Sequence, residues 1–214
     1  MSTASDARFW DRSSRKYAKG AVADPAGYQS TLDRTRSLLK PGDRVIELGC
    51  GTGTTALRLA DDVQSYLATD FSAEMIEIAR EKQGASSIPA LAFQIATAET
   101  LALEAGPFDL VLGFNYLHLV RDLPGTLLRI HALLAPAGLF ISKTPCLGDM
   151  NPLIRIALLP AMRAIGMAPY AGAFRATELC EVMETAGFEV LAIENHATEG
   201  NDARPYIAAR KRQG

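Results

Sequence analysis

The chain has few cysteines. Its 214 residues include three, Cys50, Cys146 and Cys180, an odd number with no paired spacing. That excludes a disulfide framework and the usual zinc-ligand pattern, so no metal is expected. Excess positive charge is missing too. The formal net charge is −2, whereas a protein that holds nucleic acid by its phosphates carries a strongly basic face, so no nucleic-acid partner is expected. Long apolar runs are absent. No stretch reaches the ~18 uninterrupted apolar residues that a membrane-spanning helix needs. The opening "MSTASDARFWDRSSRKYAKG" contains no apolar core of a secretory signal. Stable membrane insertion is not expected, and the cytoplasm is the expected location. Internal repeats and low-complexity tracts are also lacking.

Apolar residues are plentiful at 48%, against 21% charged. A sizeable core can therefore be buried, and the length suits one domain. Short apolar runs alternate with longer helical patterns, which points to βαβ units and an α/β fold with a parallel sheet. Strands are expected near Arg44–Leu48, Tyr66–Thr69, Ala92–Ile95, Leu110–Gly113, Leu139–Ser142, Glu189–Glu194 and Tyr206–Ala209. Helices are expected at Thr54–Asp61, at Ala73–Lys82 with Ser72 as N-cap, at Leu123–Leu134 and at Thr177–Ala186 before Gly187. Two segments fall outside the alternation: 1–39, helical in parts, and 145–175, rich in Leu, Ile, Met, Ala and Pro.

The stretch "VIELGCGTGTT" carries the chemistry. An apolar strand runs into Gly49, Gly51 and Gly53, with Glu47 two positions before the first glycine. A strand, a glycine turn and a helix bring backbone N–H groups to a ligand. The spacing E-x-G-x-G-x-G fits neither common nucleotide signature. A dinucleotide turn wants its third small residue at position 54, which is Thr, and a phosphate loop wants a lysine after the glycines.

With three further motifs, the chain resembles the class I S-adenosylmethionine-dependent methyltransferases. "VIELGCGTG" matches that family's first motif, and "YLATDFS" ends a strand in Asp70, 17 residues after Gly53. "IATAETL" places Glu99 after the third strand, and "FDLVLGFNYLHLV" matches the fourth strand and its loop. The match is close from about Leu38 to Leu147 and loose elsewhere. It implies a Rossmann-like, seven-stranded, mostly parallel sheet with helices on both faces and an antiparallel last strand. It implies a single methyltransferase domain over 1–214, in which 1–39 is a helical lid and 145–175 a substrate cap.

The resemblance also implies the cofactor, S-adenosyl-L-methionine, and its residues. The turn Gly49, Cys50, Gly51 and Gly53 would pass the methionine part, with Glu47 toward its ammonium. Asp70 would take both ribose hydroxyls. Phe71 and Met75 would flank the adenine, Ala98 and Glu99 would meet its edge, and Phe114 and Asn115 would pass the methionine. Tyr17 shares a helical face with Trp10, seven residues earlier, and would close over the cofactor or pack that helix on the body. His118 is the candidate catalytic base, or else a structural histidine covered by its apolar neighbours. "FNYLHL" lacks the D/N-P-P-Y of the methyltransferases that act on exocyclic amines of nucleic-acid bases and on some protein side chains, and the Leu, Ile, Met and Phe content of 145–175 points to a small, partly apolar acceptor. A non-catalytic sensor or scaffold binding the same cofactor, and less favoured a nucleic-acid methyltransferase, are the alternatives.

Overall fold

The computed structural model describes residues 3–84, 88–101, 106–164, 168–198 and 203–213. Residues 165–167 of the expected cap and residues 1 and 2 of the expected lid lie outside the described residues.

Seven strands form one sheet: β1 (Arg44–Leu48), β2 (Ser65–Asp70), β3 (Leu91–Ile95), β4 (Phe108–Phe114), β5 (Leu134–Lys143), β6 (Phe188–Glu194) and β7 (Tyr206–Lys211), in the order β3-β2-β1-β4-β5-β7-β6. The first five strands run parallel, and β7 lies antiparallel between β5 and β6. β1 has both faces covered, as a central parallel strand requires. Val45 faces one core with Leu59, Tyr66, Ile76, Phe93, Leu110 and Ile141. Ile46 faces the other with Val111, Leu127, Leu133, Phe140, Met183, Phe188 and Ile207. After β1 the chain winds outward to β2 and β3, then returns to the other side of β1 for β4. The crevice at this reversal, beyond the carboxyl ends of β1 and β4, is where open α/β sheets bind ligands.

The helices are α1 (Thr3–Ala18), α2 (Pro25–Arg36), α3 (Ala56–Leu59), α4 (Ala73–Gln83), α5 (Leu123–Leu133), α6 (Leu159–Ala164) and α7 (Ala176–Thr185). Ser72 caps α4 as expected, accepting the Met75 N–H at 3.2 Å. Gly187 follows α7 at φ 92°, a left-handed position that suits glycine. Two expectations need correction. The helix after the glycine turn is one turn, Ala56–Leu59, passing into a 3₁₀ turn over Ala60–Asp62. β5 begins at Leu134 rather than Leu139, because Leu134 already pairs with Phe108 across a bulge before the main register starts at Leu110 and Leu139.

Two side-chain bonds fasten α1 to the sheet's carboxyl end. Ser72 Oγ donates to Asp11 Oδ1 at 2.6 Å, and Arg121 Nη2 bonds Asp6 Oδ2 at 2.7 Å. Arg121 also lies over the Tyr170 ring at 4.6 Å, with Arg163 of α6 at 5.4 Å from the same ring. Leu153, Ile156 and Leu158, just before α6, are exposed. No described helix is long and apolar enough to cross a membrane.

Candidate active site

The three glycines hold φ of 70°, 53° and 73°, values that favour residues without a Cβ. Their surroundings differ. A Cβ on Gly49 would sit 2.8 Å from Tyr116 Cδ2, and one on Gly53 would sit 2.7 Å from Phe93 Cζ and 2.9 Å from Ala79 Cβ. Both glycines are thus required by the protein's own packing. Gly51 alone opens onto space, its nearest neighbour being Tyr17 Cε1 at 3.7 Å. The expectation that all three clear a path for a ligand narrows to Gly51. Cys50 between them has a buried thiol whose pKa burial holds well above the usual range, so it packs and does not react.

Two acids face this turn. Glu47, at 2% exposure, accepts from the Tyr66 hydroxyl at 2.9 Å. Burial pushes its pKa up to about 7, against the lowering effect of that bond and with the Asp70 charge adding to the rise. Asp70, at the end of β2, accepts the Gly51 N–H on Oδ2 and the Ser72 N–H on Oδ1, each at 2.9 Å. Burial still raises its pKa. Among the described residues neither acid makes an ion pair. The crevice is therefore lined on this side by two buried acids that no described cation neutralises by direct contact.

Phe71 is half-buried beside Asp70 and Met75 is buried. Tyr17 reaches the turn from α1 and meets Trp10 edge-on at 6.0 Å, so the shared helical face is real. Burial raises its hydroxyl's pKa, with the charges of Asp70 and Glu47 adding to the effect. Phe114 closes β4, and Asn115, at φ 51°, donates its N–H to the Lys143 carbonyl at 2.7 Å. Ala98 is buried. Glu99 is exposed and accepts from Thr126 Oγ1 at 2.8 Å. Sequence reasoning missed Tyr116, whose ring fills the space left by Gly49 and Gly113 and whose hydroxyl faces the Ala98 backbone. The signal was there: two glycines on neighbouring strands next to one bulky aromatic.

The other side of the crevice holds His118, on a 3₁₀ turn over Leu117–Leu119. Thr144, the residue after β5, lies with Oγ1 2.9 Å from His118 Nδ1 and 3.2 Å from the His118 amide nitrogen. The Gly172 N–H bonds the His118 carbonyl at 2.7 Å, which ties this turn to the segment before α7. Burial, then the charge of Arg204, lower the His118 pKa to about 4. Thr144 and Arg204 are further groups that no local motif announces.

Comparison with known proteins agrees with this geometry. A methyltransferase-domain family model matches residues 21–193. The mitochondrial arginine hydroxylase NDUFAF5 of Danio rerio is 30% identical over 167 residues, 76% of this chain and 50% of that protein. The ubiquinone biosynthesis O-methyltransferase of Methylocella silvestris is 34% identical over 143 residues, 64% of this chain and 54% of that protein. The chain thus spans about half the length of these curated relatives. The fold is that of magnesium protoporphyrin IX methyltransferase from Synechocystis PCC 6803, solved with bound S-adenosylhomocysteine, at a TM-score of 0.71 and 20% identity over 97% of this chain and 95% of that one. A possible histamine N-methyltransferase from Thermotoga maritima gives a TM-score of 0.70 at 23% identity over 97% of this chain and all of that one. The turn, the paired acids, the strand order and the family match together make the chain a member of the class I S-adenosylmethionine-dependent methyltransferases.

Proposed function

We propose that this enzyme transfers the methyl group of S-adenosylmethionine to a small, partly apolar acceptor. The observation that carries the reading is the buried acid couple Glu47 and Asp70, neither in an ion pair among the described residues, beside the open face of Gly51. Two such acids favour a ligand with positive charge and hydroxyls over one with phosphates. When bound, S-adenosylmethionine supplies a methyl on a sulfonium sulfur, which needs no further activation.

The chain's residues then bind, orient and exclude water. Glu47, with one oxygen not engaged by Tyr66, faces the ammonium. Each Asp70 oxygen takes one backbone N–H and keeps a lone pair for a ribose hydroxyl. Phe71 and Met75 flank the adenine, whose edge meets Ala98 and Glu99, while Phe114 and Asn115 pass the methionine. Residues 1–39 serve as a lid, with Tyr17 closing over the turn, and 145–175 serve as the cap over the acceptor. The apolar character of that cap, with Leu153, Ile156, Leu158, Tyr170 and Phe174, supports an acceptor with apolar surface. The names of the Methylocella and Synechocystis enzymes, which point to ring compounds, lend support in the same direction.

Thermal denaturation with added ligands tests the reading. S-adenosylhomocysteine stabilises the fold by mass action, about 2.7 kcal/mol at a hundredfold excess over Kd, and NAD and ATP do so much less. A larger shift with NAD overturns it.

A further inference from the structure

We infer that Thr144 fixes the His118 imidazole with its proton on Nε2, so that His118 donates a hydrogen bond to the methyl acceptor and does not deprotonate it. The inference rests on the methyl-transfer reading above.

The argument is a count of protons around one hydroxyl. Thr144 is fully buried, and its Oγ1 meets two nitrogens of His118, the amide at 3.2 Å and Nδ1 at 2.9 Å. The amide can only donate, so it occupies one lone pair of the hydroxyl oxygen. The hydroxyl's own proton has one available acceptor among the described residues, Nδ1. If Nδ1 carried a hydrogen, two donors would converge on Oγ1 and the hydroxyl proton would be buried without an acceptor. A buried donor left unmade biases such an equilibrium roughly 5- to 150-fold. Nδ1 therefore accepts, and the ring's hydrogen sits on Nε2, which has no hydrogen-bond partner among the described residues.

A nitrogen that already bears its proton cannot take one from the acceptor. A second proton can enter only at Nδ1, where it reverses the Thr144 bond and leaves the hydroxyl proton without an acceptor. Burial and the nearby Arg204 charge both oppose that step. Arg204 is held near this end of the sheet, because the carbonyl of Ala203 accepts the Cys146 N–H at 2.7 Å, two residues past Thr144. Its charge acts on Tyr17 as well as on His118. Thr144 is a positioning residue here, and His118 the residue that touches the acceptor.

Long-range 1H–15N correlation spectra of ¹⁵N-labelled protein read the tautomer directly. The expected result is the Nε2–H pattern at neutral pH, retained in Thr144→Ser and lost to a mixture in Thr144→Val. An Nδ1–H pattern in the wild type overturns the inference. Calorimetry with S-adenosylhomocysteine separates the two failures: without binding the methyl-transfer reading falls, whereas binding together with an Nδ1–H ring removes this inference alone.

Discussion

A carboxylate taken out of water prefers to keep its proton, and Glu47 does so by a margin that can be measured. Its pKa rises from 4.5 to about 7, so the folded state holds the proton more tightly than the unfolded one. Its stabilising contribution is complete below about pH 4.5 and is lost as pH rises through about 7. At ~1.4 kcal/mol per pH unit, the window is worth about 3 kcal/mol. Glu47→Gln keeps an acceptor for Tyr66 and removes the titration. Urea unfolding of the ligand-free variant should therefore show a flatter pH dependence over that range than the wild type, and parallel curves would refute the assignment. A cationic ligand draws the acid into its ionised form, so S-adenosylhomocysteine binding near pH 7 should release protons, seen as buffer-dependent calorimetric enthalpies. Asp70→Ala should weaken that binding about ten- to a few hundredfold, since hydrogen bonds to a charged group are worth roughly 1.5–3 kcal/mol. Gly51→Val should lower both affinity and stability, because a β-branched residue is strained at φ 53°. Gly53→Val should cost more stability still, because there the added Cβ also strikes Phe93 and Ala79.

Among the elements, α1 is held by few contacts whose purpose is legible. Ser14 is the one residue of α1 that is clearly buried among those described, so the helix adds little to the core. Its Asp11 bond to Ser72 and its Asp6 pair with Arg121 anchor it across the site. Asp11→Ala should speed S-adenosylhomocysteine release in stopped-flow experiments with little change in association rate or melting temperature; slower association instead would mean that α1 shapes the site and does not cover it. Much of the element plan was readable in the chain. β1 and β4 announce themselves as mostly apolar runs because both faces are covered, and Ser72 and Gly187 mark helix ends by local chemistry alone. The early start of β5 was not readable: Pro136, Ala137 and Gly138 look like a boundary, yet Ala137 at φ 59° sits in a bulge and pairing resumes beyond it. The acid half of the site was legible because Glu47 to Gly53 is one local motif. Tyr116, Thr144 and Arg204 were not, because only the sheet brings residues so distant in sequence to one crevice.

For the molecule as a whole, β7 matters most. Tyr206, Ile207, Ala208 and Ala209 are all at 3% exposure or less, while Ile193 on β6 stands at 57%. Ile207→Ala should cost about 2–5 kcal/mol, against about 0.5 kcal/mol or less for Ile193→Ala, as read from urea midpoints at constant m. A reversed order would mean that β6, not β7, secures this side of the sheet. The strand order β5-β7-β6 also sets a schedule. Chains are made from the amino end, so on the ribosome β5 and β6 both emerge before the strand that joins them. Until β7 arrives, the Ala203–Cys146 bond and the ladder that fixes Ser142 and Lys143 are missing, and Thr144 follows directly on that ladder. The half-made chain can carry the glycine turn and both acids while its acceptor side is still open. The glycine turn and the paired acids are thus synthesised early, and the side that carries His118 and Thr144 is completed late.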